Sequence, residues 1–188
     1  MREYTHEEFV NLISNMSDEE LLKFSANYGG YPVLFRMSLD ERVCHIPFIQ
    51  TGAAIIVRNE FDQILLQQRN DNGRWGLPGG CQELGENLRL TASRELYEET
   101  NISIPPGALV LIDTLSGEER KRVYPNGDIV YNNTSLYLAN VDSNINIKKD
   151  NESIKLEFFD INNLPLELHD NDLIDTYINY LKKESNIL

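Results

Sequence analysis

The sequence has few cysteines and no long apolar run. Its 188 residues include 2 cysteines, Cys44 and Cys81, which form no CxxC pair and lie near no histidine cluster. This spacing argues against a zinc site or a disulfide framework, so both thiols are predicted to be reduced. No apolar run approaches the roughly 20 residues that cross a bilayer. Residues 1–8 also lack the apolar core of a signal peptide, so we expect a cytoplasmic protein.

Basic residues are also scarce. Lys and Arg total 17 against 30 Asp and Glu, which gives a formal net charge of −13. Such a chain repels phosphate backbones and anionic lipid surfaces, so we expect no general nucleic-acid binding and no membrane partner. If several of the carboxylates bind divalent cations, the working protein is less negative than this charge.

The length fits one domain with an N-terminal appendage. Residues 1–45 are predicted to form a helical extension, because Thr5 with Glu8 and Ser17 with Glu20 match capping boxes. An apolar stripe on such an extension usually packs on its own domain, and a homodimer interface is the alternative. Residues 46–188 form the predicted main domain.

Residues from Gly52 onward alternate between strand and helix patterns. Strands are predicted over 52–57, 63–69, 108–115, 120–124, 129–141 and 154–160, with turns at 59–62 and 125–128. Helices are predicted over 87–100 and 170–183. The predicted class is therefore α/β of the α+β type, a mixed β-sheet sandwiched between helices.

The helix predicted over 87–100 carries three closely spaced glutamates. Glu95, Glu98 and Glu99 fall within roughly a 100° arc of one helix. Like charges this close repel one another, and oxygen ligands suit a hard ion such as Mg²⁺ or Mn²⁺. The alternative is an ordinary solvated face, since glutamate is a common helix former. Glu86 precedes the helix, and Arg94 can pair with a carboxylate and fix its rotamer.

Two glycines, Gly79 and Gly80, come before this helix and let the backbone approach closely, so a main-chain carbonyl can act as a further ligand. The segment resembles the Nudix box, GX5EX7REUXEEXGU, where U is a bulky aliphatic residue. The matching residues are Gly80, Glu86, Arg94, Glu95, Leu96, Glu98, Glu99 and Ile102. Asn101 stands where the pattern has glycine, and asparagine is the next best residue for a left-handed helix end. The likeness covers roughly residues 48–182.

The resemblance implies a magnesium-dependent hydrolase that cleaves a nucleoside diphosphate linked to another moiety. It implies a small-molecule nucleotide as partner and Mg²⁺, or alternatively Mn²⁺, as cofactor. The implied ligands are Glu95, Glu98, Glu99 and the Gly80 carbonyl, with Glu86 acting directly or through water. The general base is either Glu95 or a glutamate ahead of the last strand, for which Glu152 is the best match and Glu157 is next. Arg94 would support the catalytic group.

The substrate is less sharply indicated. The resemblance favours an ADP-ribose or nucleotide-sugar type, with nucleoside triphosphates as the alternative. Gly117 occupies the position at which ADP-ribose hydrolases of the family often carry proline. A non-catalytic ligand-sensing module and an isomerase are the rival classes, although the complete glutamate set favours hydrolysis. Arg69 and Arg74 are candidate phosphate contacts, with a plain surface role equally open. Trp75 is interpreted as a structural anchor, with base stacking as the alternative.

Overall fold

The computed structural model describes residues 15, 17, 47–124 and 129–185. Apart from residues 15 and 17, the predicted helical extension at 1–45 lies outside this part of the chain. Cys44, the predicted domain boundary after residue 45 and the predicted turn at 125–128 also lie outside it. The chain divides into two compact units. Among the described residues, one unit contains 15, 17, 47–50, 117–124 and 129–132, and the other contains 51–116 and 133–185.

The described strands and helices follow the predicted order. The strands are β1 (Phe48–Arg58), β2 (Gln63–Arg69), β3 (Trp75–Gly76), β4 (Gly79–Cys81), β5 (Val110–Leu115), β6 (Lys121–Val123), β7 (Ile129–Asn140) and β8 (Ser153–Asp160). The helices are α1 (Leu88–Thr100) and α2 (Asn171–Ser185), with 3₁₀ turns at Pro106–Ala108 and Glu118–Arg120. Every strand and helix predicted from residue 52 onward is confirmed, and the largest difference is that β1 begins at Phe48 rather than Gly52. The sequence did not predict the short strands β3 and β4.

The larger unit is built on a mixed sheet. Its strands lie in the order β3-β2-β1-β7-β5, while β4 pairs with β1 and β8 pairs with β2. The turn predicted at 59–62 joins β1 to β2, and the Asn59 side chain accepts hydrogen bonds from the backbone of Phe61 and Gln63, both 3.0 Å long. No helix among residues 47–124 and 129–185 is long and apolar enough to cross a membrane.

Both faces of this sheet are covered. Alternate residues of β1 point to opposite sides, as the pleat requires. Ala53, Ile55 and Val57 join a core with Ala92 and Leu96 of α1. On the other side, Ala54 and Ile56 join a core with three residues of α2, namely Leu173, Ile174 and Tyr177. The predicted sandwich of a sheet between helices is thus confirmed.

The smaller unit contains a short antiparallel ladder. Within it, β6 pairs with the first residues of β7, and Lys121 lies opposite Tyr131. The Lys121 ammonium lies 5.7 Å from the centre of the Tyr131 ring, a distance at which a cation and an aromatic face attract. Arg120 precedes this ladder and is buried.

Candidate active site

Helix α1 carries the acidic cluster and is capped at both ends. The Asn87 side chain accepts hydrogen bonds from the backbone of Arg89 and Leu90, each 3.1 Å long, which satisfies two donors of the first turn. At the other end, Asn101 adopts a left-handed conformation with φ 62°, and its N–H donates to the Tyr97 carbonyl at 2.8 Å. The predicted helix end at Asn101 is confirmed, so the departure from the family pattern preserves the geometry that the pattern requires.

Glu99 is the most buried carboxylate of the cluster, with 6% of its surface exposed. Its Oε1 accepts a hydrogen bond from Gln67 Nε2 at 3.1 Å, and its Oε2 accepts one from the Gly79 N–H at 2.8 Å. Burial raises the pKa of Glu99 to about 7, although these hydrogen bonds oppose the rise. A carboxylate held by neutral donors in a buried position is stabilised when a cation approaches it.

Glu95 lies one turn earlier on the same helix and is half-buried. A Cβ atom added at Gly80 would lie 2.6 Å from Glu95 Cδ, so the carboxylate rests directly against the glycine backbone. Burial raises the pKa of Glu95 against the opposing hydrogen bond from Arg94, and the negative charges of Glu98 and Glu152 add to the rise. A side chain at position 80 would therefore displace the Glu95 carboxylate from its present place.

Arg94 binds three of the predicted site carboxylates. Its Nε and Nη2 donate to the two oxygens of Glu86 at 2.7 and 3.0 Å. Its Nη1 donates to Glu95 at 2.8 Å and to Glu98 at 3.0 Å, and Nη2 also reaches the Cys81 carbonyl at 2.9 Å. The predicted pairing of Arg94 with a neighbouring carboxylate is confirmed.

Glu86 is fully engaged in this ion pair. Besides the two Arg94 contacts, its Oε2 accepts hydrogen bonds from Thr91 Oγ1 at 2.8 Å and from the Glu83 N–H at 3.1 Å. The Arg94 guanidinium is the main cause that lowers the pKa of Glu86 to about 2. This arrangement makes Glu86 an anchor for Arg94, and its direct ligation of a metal stays a prediction.

The donor set of the cluster fits a hard cation. Glu95, Glu98 and Glu99 offer only carboxylate oxygens, and the Gly79–Gly80 backbone lies against Glu95 and Glu99. Within residues 47–124 and 129–185, however, no three acidic, histidine or cysteine side chains are already gathered closely enough to hold a metal ion. Glu98 is half-exposed and ion-paired with Arg94, so the chemistry of the donors supports metal binding more than their present spacing does.

A cavity of about 400 Å³ adjoins Glu99. Its lining residues are polar, namely Gln67, Arg69, Asn70, Asp71, Glu99, Asn151 and Glu152. Arg69 is held by Asp71 through two hydrogen bonds of 3.0 and 2.9 Å. Of the two predicted phosphate contacts, Arg69 lines the cavity, whereas Arg74 is exposed and does not.

The two candidate bases occupy different environments. Glu152 directly precedes β8, as predicted, and lines the cavity with its side chain exposed. Glu157 lies within β8 and is bound by Lys155 Nζ at 2.5 Å. The structure thus brings Glu152, but not Glu157, to the cavity beside Glu99.

Two further sequence interpretations concern residues near the cluster. Trp75 packs edge-on against Phe159 with ring centres 4.8 Å apart, which supports its interpretation as a structural anchor. Cys81 is exposed and forms no disulfide within the described chain. Sequence reasoning missed Gln67, although a glutamine at a buried position of β2 was a readable signal.

Comparison with known proteins gives consistent matches. A family model described as NUDIX domain matches residues 49–179. An ADP-ribose pyrophosphatase of Methanocaldococcus jannaschii is 31% identical over 116 residues, which are 60% of this chain and 63% of that protein. A putative 8-oxo-dGTP diphosphatase of Bacillus subtilis is 51% identical over 49 residues, which are 26% of this chain and 33% of that protein. The chain thus matches less than two thirds of either relative's length.

Solved structures share the fold. The crystal structure of a MutT NUDIX hydrolase from Burkholderia pseudomallei matches with a TM-score of 0.57 at 22% identity. The match covers 69% of this chain and 98% of that one. At this identity the likeness concerns the fold alone.

Proposed function

The chain belongs to the Nudix family, and on that basis we propose that it is a Mg²⁺-dependent hydrolase of a phosphoanhydride bond. The observation that carries the proposal is the placement of Glu95 and Glu99 on the face of α1 that meets the Gly79–Gly80 backbone. Glu99 forms no ion pair within the described residues and is held by neutral donors instead. Removing a carboxylate from water without a cationic partner is costly, and a bound divalent cation offsets that cost.

The proposed metal ligands are Glu95, Glu98, Glu99 and the Gly80 carbonyl. Mg²⁺ at these oxygens would neutralise charge on the phosphoanhydride and activate the attacking water, and Mn²⁺ suits the same donors. The role of Arg94 is to hold Glu95 and Glu98 in place before the substrate arrives. Charge-assisted hydrogen bonds of 2.8 and 3.0 Å are strong enough for this task.

Glu152 is the favoured general base, with Glu95 as the alternative. The backbone around Glu152 is fixed, because its carbonyl accepts a hydrogen bond from the Asn70 N–H and its own N–H donates to Asp150 at 2.9 Å. Its exposed carboxylate at the cavity remains available to accept a proton from water. A base must lie within hydrogen-bond reach of the water that it deprotonates, and the cavity offers that position.

We propose a nucleoside diphosphate linked to a sugar, of the ADP-ribose or nucleotide-sugar type, as the substrate. The amides of Asn70 and Asn151 and the carboxylates of the cavity suit the hydroxyl groups of a sugar. Arg69 is the cation among the described lining residues, and its guanidinium is already paired with the Asp71 carboxylate. An additional phosphate of a triphosphate would therefore gain little binding energy from Arg69. The relative named ADP-ribose pyrophosphatase supports this choice, and the relative named 8-oxo-dGTP diphosphatase supports a nucleoside triphosphate as the alternative.

Analysis of the hydrolysis products tests the proposal. The protein is incubated with Mg²⁺ and a panel of ADP-ribose, ADP-glucose, ATP and dGTP, and the products are then resolved by chromatography. We expect turnover of the sugar-linked diphosphates, loss of turnover in Glu99→Gln, and unchanged turnover in Glu184→Gln, which alters an exposed residue of α2. Preference for the triphosphates would select the alternative substrate. Tight binding of ADP-ribose without turnover of any panel member would favour a sensing module.

A further inference from the structure

A buried polar chain connects β2 and β8 to the candidate metal site. Gln67 is 2% exposed and directly follows three buried apolar residues of β2. Its Nε2 donates to Glu99 Oε1 at 3.1 Å and lies 3.4 Å from the Leu77 carbonyl. Its Oε1 accepts a hydrogen bond of 2.8 Å from Ser153 Oγ, and Ser153 is also 2% exposed. A buried amide with both ends bonded is held in one orientation.

Ser153 holds the far end of the Gln67 amide in place. Glu99 Oε1 and the Leu77 carbonyl only accept hydrogen bonds, so the amide NH₂ points towards them, and the Ser153 hydroxyl donates to Oε1 at the other end of the amide. If the amide turned over, two acceptors would face each other at Glu99 and the contact would become repulsive. The hydroxyl of Ser153 therefore acts on Glu99 through Gln67, without touching it.

The second oxygen of Glu99 is fixed independently. The Gly79 N–H donates to Oε2 at 2.8 Å, so each oxygen has one neutral donor and the plane of the carboxylate is set. Each carboxylate oxygen has two lone pairs, so each oxygen of Glu99 can bind a cation in addition to its hydrogen-bond donor. Groups that orient a metal ligand in this way contribute strongly to metal affinity.

We propose that Gln67 and Ser153 are positioning residues that orient Glu99 for a divalent cation. This inference rests on the metal site of the proposed function. The same chain reaches the loop that carries Glu152, because Asp150 Oδ1 accepts hydrogen bonds from the N–H groups of Glu152 at 2.9 Å and Ser153 at 3.1 Å. The network thus links a metal ligand on α1 to the segment that carries the candidate base.

Direct binding of Mn²⁺ tests the inference without turnover. Mn²⁺ alone is titrated into the metal-free protein, and the free ion is followed by electron paramagnetic resonance. We expect Gln67→Met, which keeps the side-chain length but removes the amide, to weaken binding by roughly 10- to 100-fold. Gln68→Met is the matched control, because Gln68 is the next residue of β2 and its amide bonds the Gly73 carbonyl instead. Thermal melts verify that each variant is folded.

Ser153→Ala provides a second, milder variant that removes only a hydroxyl. We expect it to weaken Mn²⁺ binding about 10-fold in the wild-type background and to add no further loss in the Gln67→Met background, since Ser153 acts through the amide. A purely structural role would give additive losses. If Gln67→Met binds Mn²⁺ as tightly as Gln68→Met, the inference is wrong while the proposed function stands. If the wild-type protein binds no Mn²⁺, the proposed metal site fails first and the inference fails with it.

Discussion

The burial of Glu99 makes the stability of the metal-free protein depend on pH. The pKa of this carboxyl is raised from 4.5 to about 7 in the folded state, chiefly by burial. The folded protein therefore holds the proton more tightly than the unfolded chain. This contribution to stability is fully present below about pH 4.5 and is lost as the pH rises through about 7. The difference between the two pKa values corresponds to a loss on the order of 3 kcal/mol.

Glu99→Gln isolates this contribution. An amide is neutral at every pH and resembles the protonated carboxyl in shape, so the variant lacks the pH-dependent loss. Urea unfolding at pH 4.5 and pH 8, with EDTA present, gives the free energy of unfolding for both proteins. We expect the wild type to lose about 3 kcal/mol relative to Glu99→Gln between these two values. Titrating groups that do not interact with Glu99 are common to both proteins and cancel in the comparison, whereas Glu95 and Asp150 interact with its charge.

Magnesium should reverse the loss in the wild type only. A ligand present at 100 times its dissociation constant stabilises the folded state by about 2.7 kcal/mol, and the variant lacks a proposed ligand. The control is Glu184→Gln, which changes an exposed glutamate of α2 and should follow the wild type at both pH values. Equal pH dependence in the wild type and Glu99→Gln would refute the reasoning, because the charge of Glu99 would then carry no cost.

Three further substitutions test other parts of the site. In Gly80→Ala the new Cβ would lie 2.6 Å from Glu95 Cδ, so we expect turnover with Mg²⁺ to fall about 100-fold. Gly107→Ala, whose Cβ would meet nothing within 4 Å, should retain full rate in the same assay. Arg94→Met leaves three carboxylates without their cation, so we expect the free energy of unfolding in urea at pH 8 to fall by about 2–3 kcal/mol. An unchanged free energy of unfolding would contradict the anchoring role of Arg94. Because Asn101 has a φ of 62°, we expect Asn101→Ala to lower the free energy of unfolding in urea by about 1–2 kcal/mol. Asn101→Gly should leave this free energy unchanged. Equal effects of the two substitutions would contradict the left-handed cap.

The sequence predicted those parts of the site that depend on local spacing. The helix, its left-handed end at Asn101 and the common face of Glu95 and Glu99 all follow from residues within one segment, whereas the N-cap Asn87 was predicted as part of the helix. Strand ranges were also recoverable, because β1 alternates between two cores and its apolar run is long. Such patterns are set by backbone periodicity and side-chain burial, which the order of residues records directly.

Contacts between distant segments were not predicted. The hydrogen bond from Ser153 to Gln67 depends on the pairing of β2 with β8, whose register shifts between Gln68 and Arg69. No local pattern in the sequence records that register. Nothing in the sequence favoured either Arg69 or Arg74 over the other as a phosphate contact. The turn between β2 and β3 places Arg69 at the cavity and leaves Arg74 exposed. The assignment of Glu86 as an anchor likewise required the geometry of Arg94.

The same residue type performs different tasks in this site because the neighbours differ. Glu86 is fully paired with Arg94, and its pKa of about 2 keeps it charged at any physiological pH. Glu99 has only neutral donors, and its pKa of about 7 shows that the fold alone does not compensate its charge. Because the site has several carboxylates and one guanidinium group, Arg94 cannot neutralise both Glu86 and Glu99. A divalent cation near Glu99 would supply the missing positive charge, so the uncompensated charge and the proposed metal requirement have one physical cause.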